Sequence, residues 1–451
     1  MALATRHSNG TARHAAGDRA SIAAFESAKR FFPDGTSRVT IERSPYPRYI
    51  AHGRGAYLED VDGNRFLDLN NNFTTLIHGH AFAPVNDAIQ RQLTSGTCFA
   101  NPTEIEIELA GLICRRVPNL DQIRFVNTGS EAVMFAIKAA RALTGKPKIA
   151  KFEGAYHGSY DWAEVSQYTY PDIWGQPEAP ASTPFCRGVP QSVLNEVVVL
   201  RFNDVDSACE RLSALGGQIS CLLFDPMPSR AGLIAPTREF VDAVQQVCRE
   251  QGILIVADEV LNFRQSYQGA SPLFGLEPDL FALGKIIGGG LPVGAVGGRK
   301  ETMSIFDATD HRPPVPQGGT FSANPLSMAA GLACMSSLTA AVFEHLNDLG
   351  ARTREGLTGV VEKRSSAYCV TGAASLFRIH PSRTPPRDFR ETHLAADERA
   401  AMKRMVSHFL ERGIIVPLGA SACLSTVMTI EDVEKVVAAF DDFLATEEAH
   451  R

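Results

Sequence analysis

Short, uninterrupted apolar runs constrain the fold of this chain more than any other feature of its sequence. CLLFD (221–225), GILIVAD (252–258) and LFALGK (280–285) are typical of strands buried on both faces of a parallel sheet. IRFV (123–126) leads directly into SEAVMFAIKAAR, which has the apolar spacing of a helix. We therefore predict a doubly wound α/β core that begins near residue 86.

The two ends of the chain follow a different pattern. A first helix is predicted over about 18–32, and GAYLEDVDGNRFLDL (55–69) alternates around a D-G turn, as a β-hairpin does. Beyond about residue 330, helices alternate with strands, and the hairpin is expected to pack with them. The predicted organisation is a disordered tail, 1–17; a large domain, 86–330; and a small α+β domain built from both ends of the chain, 18–85 and 331–451.

Composition excludes several classes of partner. The 451 residues carry a net charge of -6, which gives no indication of nucleic acid binding. We find no apolar stretch long enough to span a membrane and no apolar core of a signal peptide, so we expect a cytoplasmic protein. The nine cysteines are scattered, without C-x-x-C pairs or metal-ligand spacing, which predicts reduced thiols and no metal site.

Three of the apolar runs end in residues that could bind a ligand, because ligands lie at the carboxyl ends of the strands in an open α/β sheet. Gly129 and Ser130 stand where a strand turns into a helix, a place suited to a phosphate group. Asp258 could pair with a protonated ring nitrogen, and Lys285 could form a Schiff base once burial lowers the pKa of its amine. A phosphate site, a ring-binding acid and such a lysine together predict pyridoxal 5'-phosphate.

Two further segments suit the same cofactor. FEGAYHGSY places Tyr156 and His157 between glycines, where an aromatic face could stack on the pyridine ring, and PQGGTFSANP offers the hydroxyl of Thr320 to a phosphate. Ordinary explanations stay open for these residues. Ser130 could be a helix N-cap, Asp258 a cap or salt bridge, Lys285 a surface cap, Tyr156 a packing residue and Thr320 part of a plain turn.

The same segments, in this order, resemble the signature of the class III aminotransferases of fold type I. The resemblance covers about residues 25–445. Within the family, the segments resemble most specifically the branch that holds glutamate-1-semialdehyde aminomutase and the β-amino acid aminotransferases. The matching segments are FVNTGSEAVMFAIKAAR, FEGAYHG, VADEV, LGKIIGGGLPVGAVGG and GGTFSANP.

The resemblance implies a role for each candidate residue. Lys285 would hold the cofactor as a Schiff base and carry the substrate proton, and Asp258 would pair with the ring nitrogen. Thr320 would reach the phosphate of the neighbouring subunit, which implies a homodimer with shared sites. The remaining residues would bind the cofactor: Gly129 and Ser130 at the phosphate, Tyr156 on the ring, and His157 beside it.

The implied activity is transfer of an amino group from a carboxylate-bearing amino acid, with β- or aryl-substituted amino acids favoured, to a 2-oxo acid. Arg38 occupies a position similar to that of the substrate-binding arginine of the β-amino acid aminotransferases, although a surface arginine is its ordinary explanation. A guanidinium suits a carboxylate because its planar fork makes two parallel hydrogen bonds.

Other activities on the same cofactor stay open. An intramolecular aminomutase of the glutamate-1-semialdehyde type would need a glutamate that is absent from VPLGASACLST (416–426). Pro417, Leu418 and Gly419 also stand where the β-amino acid aminotransferases often have Pro-Arg-Gly, so the acceptor-binding arginine is missing. A racemase, a decarboxylase and an inactive binding module are further alternatives.

Overall fold

The computed structural model describes residues 18–43, 45–419 and 421–449, so the predicted tail, 1–17, lies outside the described residues. The strands are β1 Ile50–Arg54, β2 Tyr57–Asp60, β3 Arg65–Asp68, β4 Gln122–Val126, β5 Lys148–Phe152, β6 Val197–Leu200, β7 Ile219–Phe224, β8 Leu254–Asp258, β9 Leu280–Gly284, β10 Gly294–Gly298, β11 Cys369–Thr371, β12 Leu376–His380, β13 Ile414–Ile415 and β14 Ala422–Cys423.

The helices join these strands along the chain. They are α1 Arg19–Ala28, α2 Asn71–Thr74, α3 Ala83–Ser95, α4 Glu104–Arg116, α5 Gly129–Thr144, α6 Asp161–Glu164, α7 Gln191–Asn195, α8 Val205–Leu215, α9 Arg238–Gln251, α10 Ser271–Phe274, α11 Lys300–Met303, α12 Pro325–Ser337, α13 Ala340–Lys363, α14 Ala396–Glu411 and α15 Ile430–Ala449.

A seven-stranded sheet forms the centre of the molecule, in the order β4-β10-β9-β8-β7-β5-β6. Strand β10 runs antiparallel to both of its neighbours, and the other neighbouring pairs are parallel. Strands β7 and β9 are buried along their whole length, as their continuous apolar sequences predicted, and β6 is also fully buried. The predicted mostly parallel sheet is therefore confirmed.

The two ends of the chain meet in a second sheet, in the order β1-β2-β3-β13. The hairpin of β2 and β3 is antiparallel, as the D-G turn predicted, and Ile414 of β13 pairs with Leu67 of β3 in parallel. A third sheet, β11-β12-β14, lies in the C-terminal part. The small α+β unit thus contains strands from both ends of the chain. The domain boundaries stay a prediction; their positions, 85/86 and 330/331, fall inside α3 and α12.

Helix boundaries follow local sequence signals. The first helix ends at Ala28, short of the predicted residue 32. In α15 the apolar residues Val433, Val436 and Phe440 are buried, and the N–H of Thr429 donates to the Asp432 carboxylate at 3.1 Å. Among the described residues no single helix is long and apolar enough to cross a membrane; α12 and α13 pass such a test only together, and they are bent by 77°.

Four phenylalanines pack together at the carboxyl ends of two neighbouring strands. Phe152 of β5 contacts Phe224 of β7 edge to face, with ring centroids 5.1 Å apart, and Phe202 and Phe240 surround it at 5.4 and 5.5 Å. Such pairs contribute about 0.5 to 1.5 kcal/mol each beyond the burial of their area. This cluster holds the strand ends from which the loops of the candidate site begin.

Candidate active site

Adjacent strands of the large sheet carry the candidate residues at their carboxyl ends. Asp225 follows β7, Asp258 ends β8 and Lys285 follows β9, and these three strands are consecutive neighbours in the sheet. The loop with Tyr156 and His157 follows β5, on the other side of β7. The sheet thus brings together residues that are up to 129 positions apart in the chain, from Tyr156 to Lys285.

Lys285 is a buried amine with a lowered pKa. Burial lowers this pKa to about 8, while the carboxylates of Asp258 and Asp225 act in the opposite direction. Its Nζ donates a hydrogen bond to Thr74 Oγ1 at 3.3 Å. An amine with this pKa is neutral in about a tenth of the molecules at pH 7, far more than an ordinary lysine. The neutral amine is the form that attacks a carbonyl carbon.

Asp258 accepts hydrogen bonds on both carboxylate oxygens. The N–H of Val260 donates to Oδ1 at 3.0 Å, and His157 Nδ1 donates to Oδ2 at 2.8 Å. Burial lowers the pKa of His157, and Lys151 acts in the same direction while Asp258 opposes both. No lysine or arginine among the described residues lies within ion-pair distance of Asp258. Its negative charge is therefore available to a cation from a ligand.

Asp225 lies beside Asp258 and was not predicted from the sequence. Burial, and then the charge of Asp258, raises the pKa of Asp225 well above its usual value, while Lys285 acts against this rise. Asn262 Nδ2 donates to Asp225 Oδ1 at 2.5 Å, and the N–H of Met227 donates at 3.0 Å. A proton held on Asp225 removes a second negative charge from the neighbourhood of Asp258.

The hydroxyl that contacts Lys285 belongs to a left-handed turn, which is the short helix α2. Four consecutive residues have positive φ angles, an arrangement that costs energy for side chains other than glycine. Asparagine tolerates this region better than most residues, whereas a β-branched threonine does so poorly. The angles are 47° at Asn71, 50° at Asn72, 54° at Phe73 and 71° at Thr74.

Hydrogen bonds from several parts of the fold hold this turn in place. Asp68 Oδ1 accepts from the N–H of Asn71 at 3.1 Å, and Asn71 Nδ2 donates to the carbonyl oxygens of Asp68 and Cys423 at 3.0 and 3.1 Å. Arg264, which is fully buried, donates from Nη1 to the carbonyl oxygen of Thr74 at 2.9 Å. The tertiary structure thus maintains a strained turn at the point where it contacts Lys285.

Ser130 is not the N-cap of α5. That position belongs to Thr128, whose Oγ1 accepts from the N–H of Glu131 at 3.1 Å, so the capping explanation of Ser130 is wrong. Ser130 lies in the first turn of the helix, where backbone N–H groups have no partner inside the helix. This position leaves both its hydroxyl and the positive end of the helix dipole available to an anion.

Glycines allow the backbone to approach Ser130 closely. Ser130 Oγ accepts from the N–H of Ser159 at 3.0 Å, and a Cβ on Gly158 would lie 2.4 Å from the same oxygen. Gly158 also has a φ of +89°, which excludes most other residues. A Cβ on Gly129 would lie 2.8 Å from Val260, in the loop after β8. The helix start is therefore packed between the loops after β5 and β8.

Tyr156 lies at the surface of this site instead of in the core. Its side chain is 45% exposed, so packing alone does not explain its position in the loop after β5. The guanidinium of Arg230 lies over its ring at 4.5 Å from the centroid. Of the pair predicted in this loop, His157 is turned inward to Asp258 and Tyr156 outward.

Arg38 and Thr320 lie outside the cluster around Lys285. Arg38 is exposed; its Nη1 donates to Asn72 Oδ1 at 3.3 Å, and its guanidinium lies 5.7 Å from the ring of Phe73. Thr320 is exposed in a turn, and its carbonyl oxygen accepts from Cys98 Sγ at 3.8 Å. Within the described residues of this single chain, no hydrogen bond links the Thr320 side chain to Lys285, Asp258 or Ser130.

These residues fit pyridoxal 5'-phosphate on structural grounds. A buried amine with a lowered pKa suits the cofactor aldehyde, and Asp258 is a buried carboxylate without a cationic partner. Ser130 and the first turn of α5 would hold the phosphate, and the exposed face of Tyr156 is suited to an aromatic ring. The buried Nε2 of His157 has no hydrogen-bond partner among the described groups.

Comparisons with known proteins agree with this site. The family model "Aminotransferase class-III" matches residues 40–444. Glutamate-1-semialdehyde 2,1-aminomutase of Thermus thermophilus is 37% identical over 432 residues, which cover 94% of this chain and 98% of that protein. An omega-transaminase from Sphaerobacter thermophilus is 47% identical, with a TM-score of 0.92 over 94% of this chain and 97% of the other.

A solved β-phenylalanine aminotransferase from Variovorax paradoxus is also similar. It is 31% identical to this chain, with a TM-score of 0.86, and the match covers 96% of this chain and 95% of that protein. The fold and the site define a pyridoxal-phosphate enzyme of fold type I. The chain belongs to the class III aminotransferase family and is a pyridoxal 5'-phosphate-dependent aminotransferase, whose substrates are an amino donor and an oxo acid.

Sequence reasoning missed Thr74, Asp225, Arg230 and Arg264. Asp225 ends the apolar run CLLFD, so the rule that identified Asp258 would also have found it. Three consecutive asparagines ahead of Thr74 indicate a turn with positive φ angles. Arg264 and Arg230 have no comparable signal, because only tertiary contacts bring them to the site.

Proposed function

We propose that the donor substrate is an amino acid whose carboxylate is bound by Arg38, with β- or aryl-substituted amino acids favoured, and that the acceptor is a 2-oxo acid. The observation that carries the proposal is that one four-residue turn links Arg38 to Lys285. Asn72 and Phe73 contact the arginine, and Thr74 of the same turn contacts the lysine.

The guanidinium of Arg38 is free to bind a ligand. Its contact with Asn72 is a single hydrogen bond of 3.3 Å to a neutral group, and none of the described carboxylates forms an ion pair with it. The aromatic ring of Phe73 is close enough to contact both the guanidinium and an apolar substituent beside the carboxylate. This combination supports a donor that carries a carboxylate and an aryl or β-substituted group.

The comparisons support the same class of donor. The Variovorax paradoxus protein is named for β-phenylalanine, which carries both a β-amino group and an aryl group. The Sphaerobacter thermophilus protein is named an omega-transaminase. Both cover nearly the whole chain.

The residues of this chain would divide the chemistry among them. The bound cofactor supplies an electrophilic carbon for the amine and a ring that withdraws electrons from the substrate. Lys285 takes the substrate proton on Nζ and returns it, and Thr74 orients that atom. Asp258, held by His157, keeps a proton on the ring nitrogen. Ser130 and Gly129 hold the phosphate, and Tyr156 covers the ring.

Thr320 belongs to a second part of the proposal. Its exposed turn is separate from Ser130 in the single chain, so we propose that it binds the phosphate in a neighbouring copy, within a homodimer. Cytoplasmic location stays a prediction from the sequence.

An intramolecular aminomutase is the second candidate, favoured by the name of the Thermus thermophilus relative. Within the segment VPLGASACLST, Cys423 approaches the site, because its carbonyl oxygen accepts from Asn71 Nδ2. This segment contains no acidic residue that could serve such a reaction. A racemase would use the same cofactor residues, and analysis of the stereochemistry of recovered substrate separates it from an aminotransferase.

The test compares donors with and without a carboxylate. In Arg38→Met, the decrease in kcat/KM for β-phenylalanine should correspond to a loss of about 2 to 4 kcal/mol of transition-state stabilisation. The kcat/KM for 1-phenylethylamine should change little. Arg30→Met is the matched control, because Arg30 also lies over an exposed phenylalanine, at 5.6 Å from the ring of Phe31. Equal losses for both donors would show that Arg38 is structural. Conversion of glutamate-1-semialdehyde without an acceptor would favour the aminomutase.

A further inference from the structure

Arg230 is a half-buried cation at the ligand-binding edge of the large sheet. It lies five residues after Asp225 in the loop that follows β7, between the strands that carry Asp258 and the Tyr156 loop. Its guanidinium lies over the ring of Tyr156, 4.5 Å from the ring centroid. Arg230 therefore lies beside the tyrosine that we place on the cofactor ring.

Arg230 differs from Arg390 and Arg201 because it forms no ion pair with a described carboxylate. Arg390 binds Glu153 at 2.7 Å, and Arg201 Nη1 lies 3.2 Å from Asp204, so both charges are neutralised within the fold. Within the described part of the chain, the Arg230 guanidinium forms no ion pair and no hydrogen bond. Burial lowers the pKa of Arg230, although the neighbouring tyrosines and Glu164 oppose this shift.

A partly desolvated cation without a counter-ion is unfavourable until an anion binds to it. The backbone beside Arg230 is nevertheless firmly held. Arg378 Nη1 donates to the carbonyl oxygen of Ser229 at 2.7 Å, and Ser421 Oγ lies 2.6 Å from Ser229 Oγ. Strand β12 and the C-terminal segment thus fix the loop, and the guanidinium is kept in place without an internal anion. Such an arrangement is typical of a preorganised anion site.

We propose that Arg230 binds the carboxylate of the 2-oxo acid acceptor and so determines the choice of acceptor. The inference rests on the proposed function, in which the acceptor is a 2-oxo acid. It also supplies a cation where the sequence lacks one, since Leu418 stands at the position of the expected acceptor-binding arginine. Arg38 and Arg230 then serve different carboxylates, the first beside the left-handed turn and the second beside Tyr156.

The chemistry of the guanidinium fits this task. Its planar fork can donate two parallel hydrogen bonds to a carboxylate while its face stays on the tyrosine ring. An acceptor without a carboxylate would leave the cation unpaired and would gain nothing from it. Arg230 should therefore discriminate between 2-oxo acids and simple aldehydes, and it should contribute little to the reaction of the donor.

The experiment uses the holoenzyme with three variants. Arg230→Met removes the charge with little change in volume, and Arg230→Lys keeps the charge but loses the fork. Arg141→Met is the matched control, because Arg141 also lies over an aromatic ring, Trp162 at 4.8 Å, but pairs with Glu196 and lies at the far end of α5. Thermal unfolding of each variant checks that it is folded.

Two measurements separate this inference from the proposed function. The first compares enzyme preloaded with an amino group as it reacts with pyruvate or with propanal. The ratio of kcat/KM for pyruvate to that for propanal should fall by about 30-fold or more in Arg230→Met, less in Arg230→Lys, and not at all in Arg141→Met. The second is calorimetric binding of pyruvate to the resting holoenzyme, which does not require turnover.

The outcomes are distinct. Loss of pyruvate binding in Arg230→Met alone supports the carboxylate site, even if the donor class proposed above is wrong. Equal losses for pyruvate and propanal, or an unchanged ratio with unchanged binding, would overturn the role of Arg230 while leaving the aminotransferase assignment intact. A wild-type holoenzyme that neither binds pyruvate nor reacts with it would also overturn this role.

Discussion

His157 Nδ1 donates a 2.8 Å hydrogen bond to Asp258 Oδ2, and both residues are buried. The histidine was expected to bind the cofactor, but the structure places it behind the carboxylate that would do so. Because burial lowers the pKa of His157, its neutral form is favoured and Nδ1 carries the proton in the bond to Asp258. His157 is thus a positioning residue for Asp258.

Replacement of His157 should act through Asp258. In His157→Leu the carboxylate loses a buried hydrogen bond of the kind that contributes about 1.5 to 3 kcal/mol, so kcat should fall by about 10- to 100-fold. His157→Asn can still donate to Asp258 and should keep most of the activity. The pH dependence of the spectrum of the bound cofactor should differ between His157→Leu and the wild-type enzyme. Identical behaviour of the two variants would contradict this role.

The lowered pKa of Lys285 predicts how apoprotein takes up cofactor as the pH changes. Only the neutral amine reacts with the aldehyde, and its fraction increases with pH until the pH exceeds about 8. The rate of covalent attachment should therefore rise about tenfold per pH unit at lower pH and level off above the pKa. Absorbance after mixing apoprotein with pyridoxal 5'-phosphate measures this rate.

The control for this experiment is Lys285→Ala, which should bind the cofactor without covalent attachment, so that borohydride does not fix it to the protein. The same variant should have essentially no turnover. A rate that continues to rise up to pH 10 would show that the amine is not perturbed by burial.

Thr74 links catalysis to backbone strain. Thr74→Ser keeps the hydroxyl that accepts from Lys285 and should retain most of the activity, whereas Thr74→Ala should lose about tenfold in kcat. Thr74→Gly should remove the hydroxyl and also relieve the positive φ of 71°, which costs a β-branched residue about 1 kcal/mol or more. Denaturant unfolding of the apoproteins should show a gain in stability for the glycine variant relative to the alanine variant. No such gain would argue against strain at this turn.

Thr320 should act across a subunit interface. Thr320→Ala should release cofactor more readily, because a hydrogen bond to a charged phosphate contributes about 1.5 to 3 kcal/mol. When Lys285→Ala and Thr320→Ala chains are mixed, a shared site gives heterodimers with one doubly altered site and one intact site. Activity at limiting cofactor should then rise on mixing. If the mixture is no more active than the two variants carried through the same procedure separately, the sites are independent.

Much of the fold follows from local sequence patterns. Continuous apolar runs predicted the buried strands β7, β8 and β9, because both faces of such strands must leave water. The D-G turn predicted the hairpin of β2 and β3 for a local conformational reason. The antiparallel course of β10 was not predicted, since strand direction depends on pairing with β4 and β9 and not on the strand's own residues.

Sequence patterns were sufficient to identify the residues that follow the strand ends, Asp258 and Lys285 among them, because a parallel sheet brings the carboxyl ends of its strands to one edge. The contacts of these residues depend on how distant parts of the chain pack together. The partner of Asp258 is 101 residues away in His157, the partner of Lys285 is 211 residues away in Thr74, and Arg230 meets Tyr156 only across neighbouring strands. Burial and long-range contacts set the pKa and the orientation of these groups, and no local pattern encodes either one.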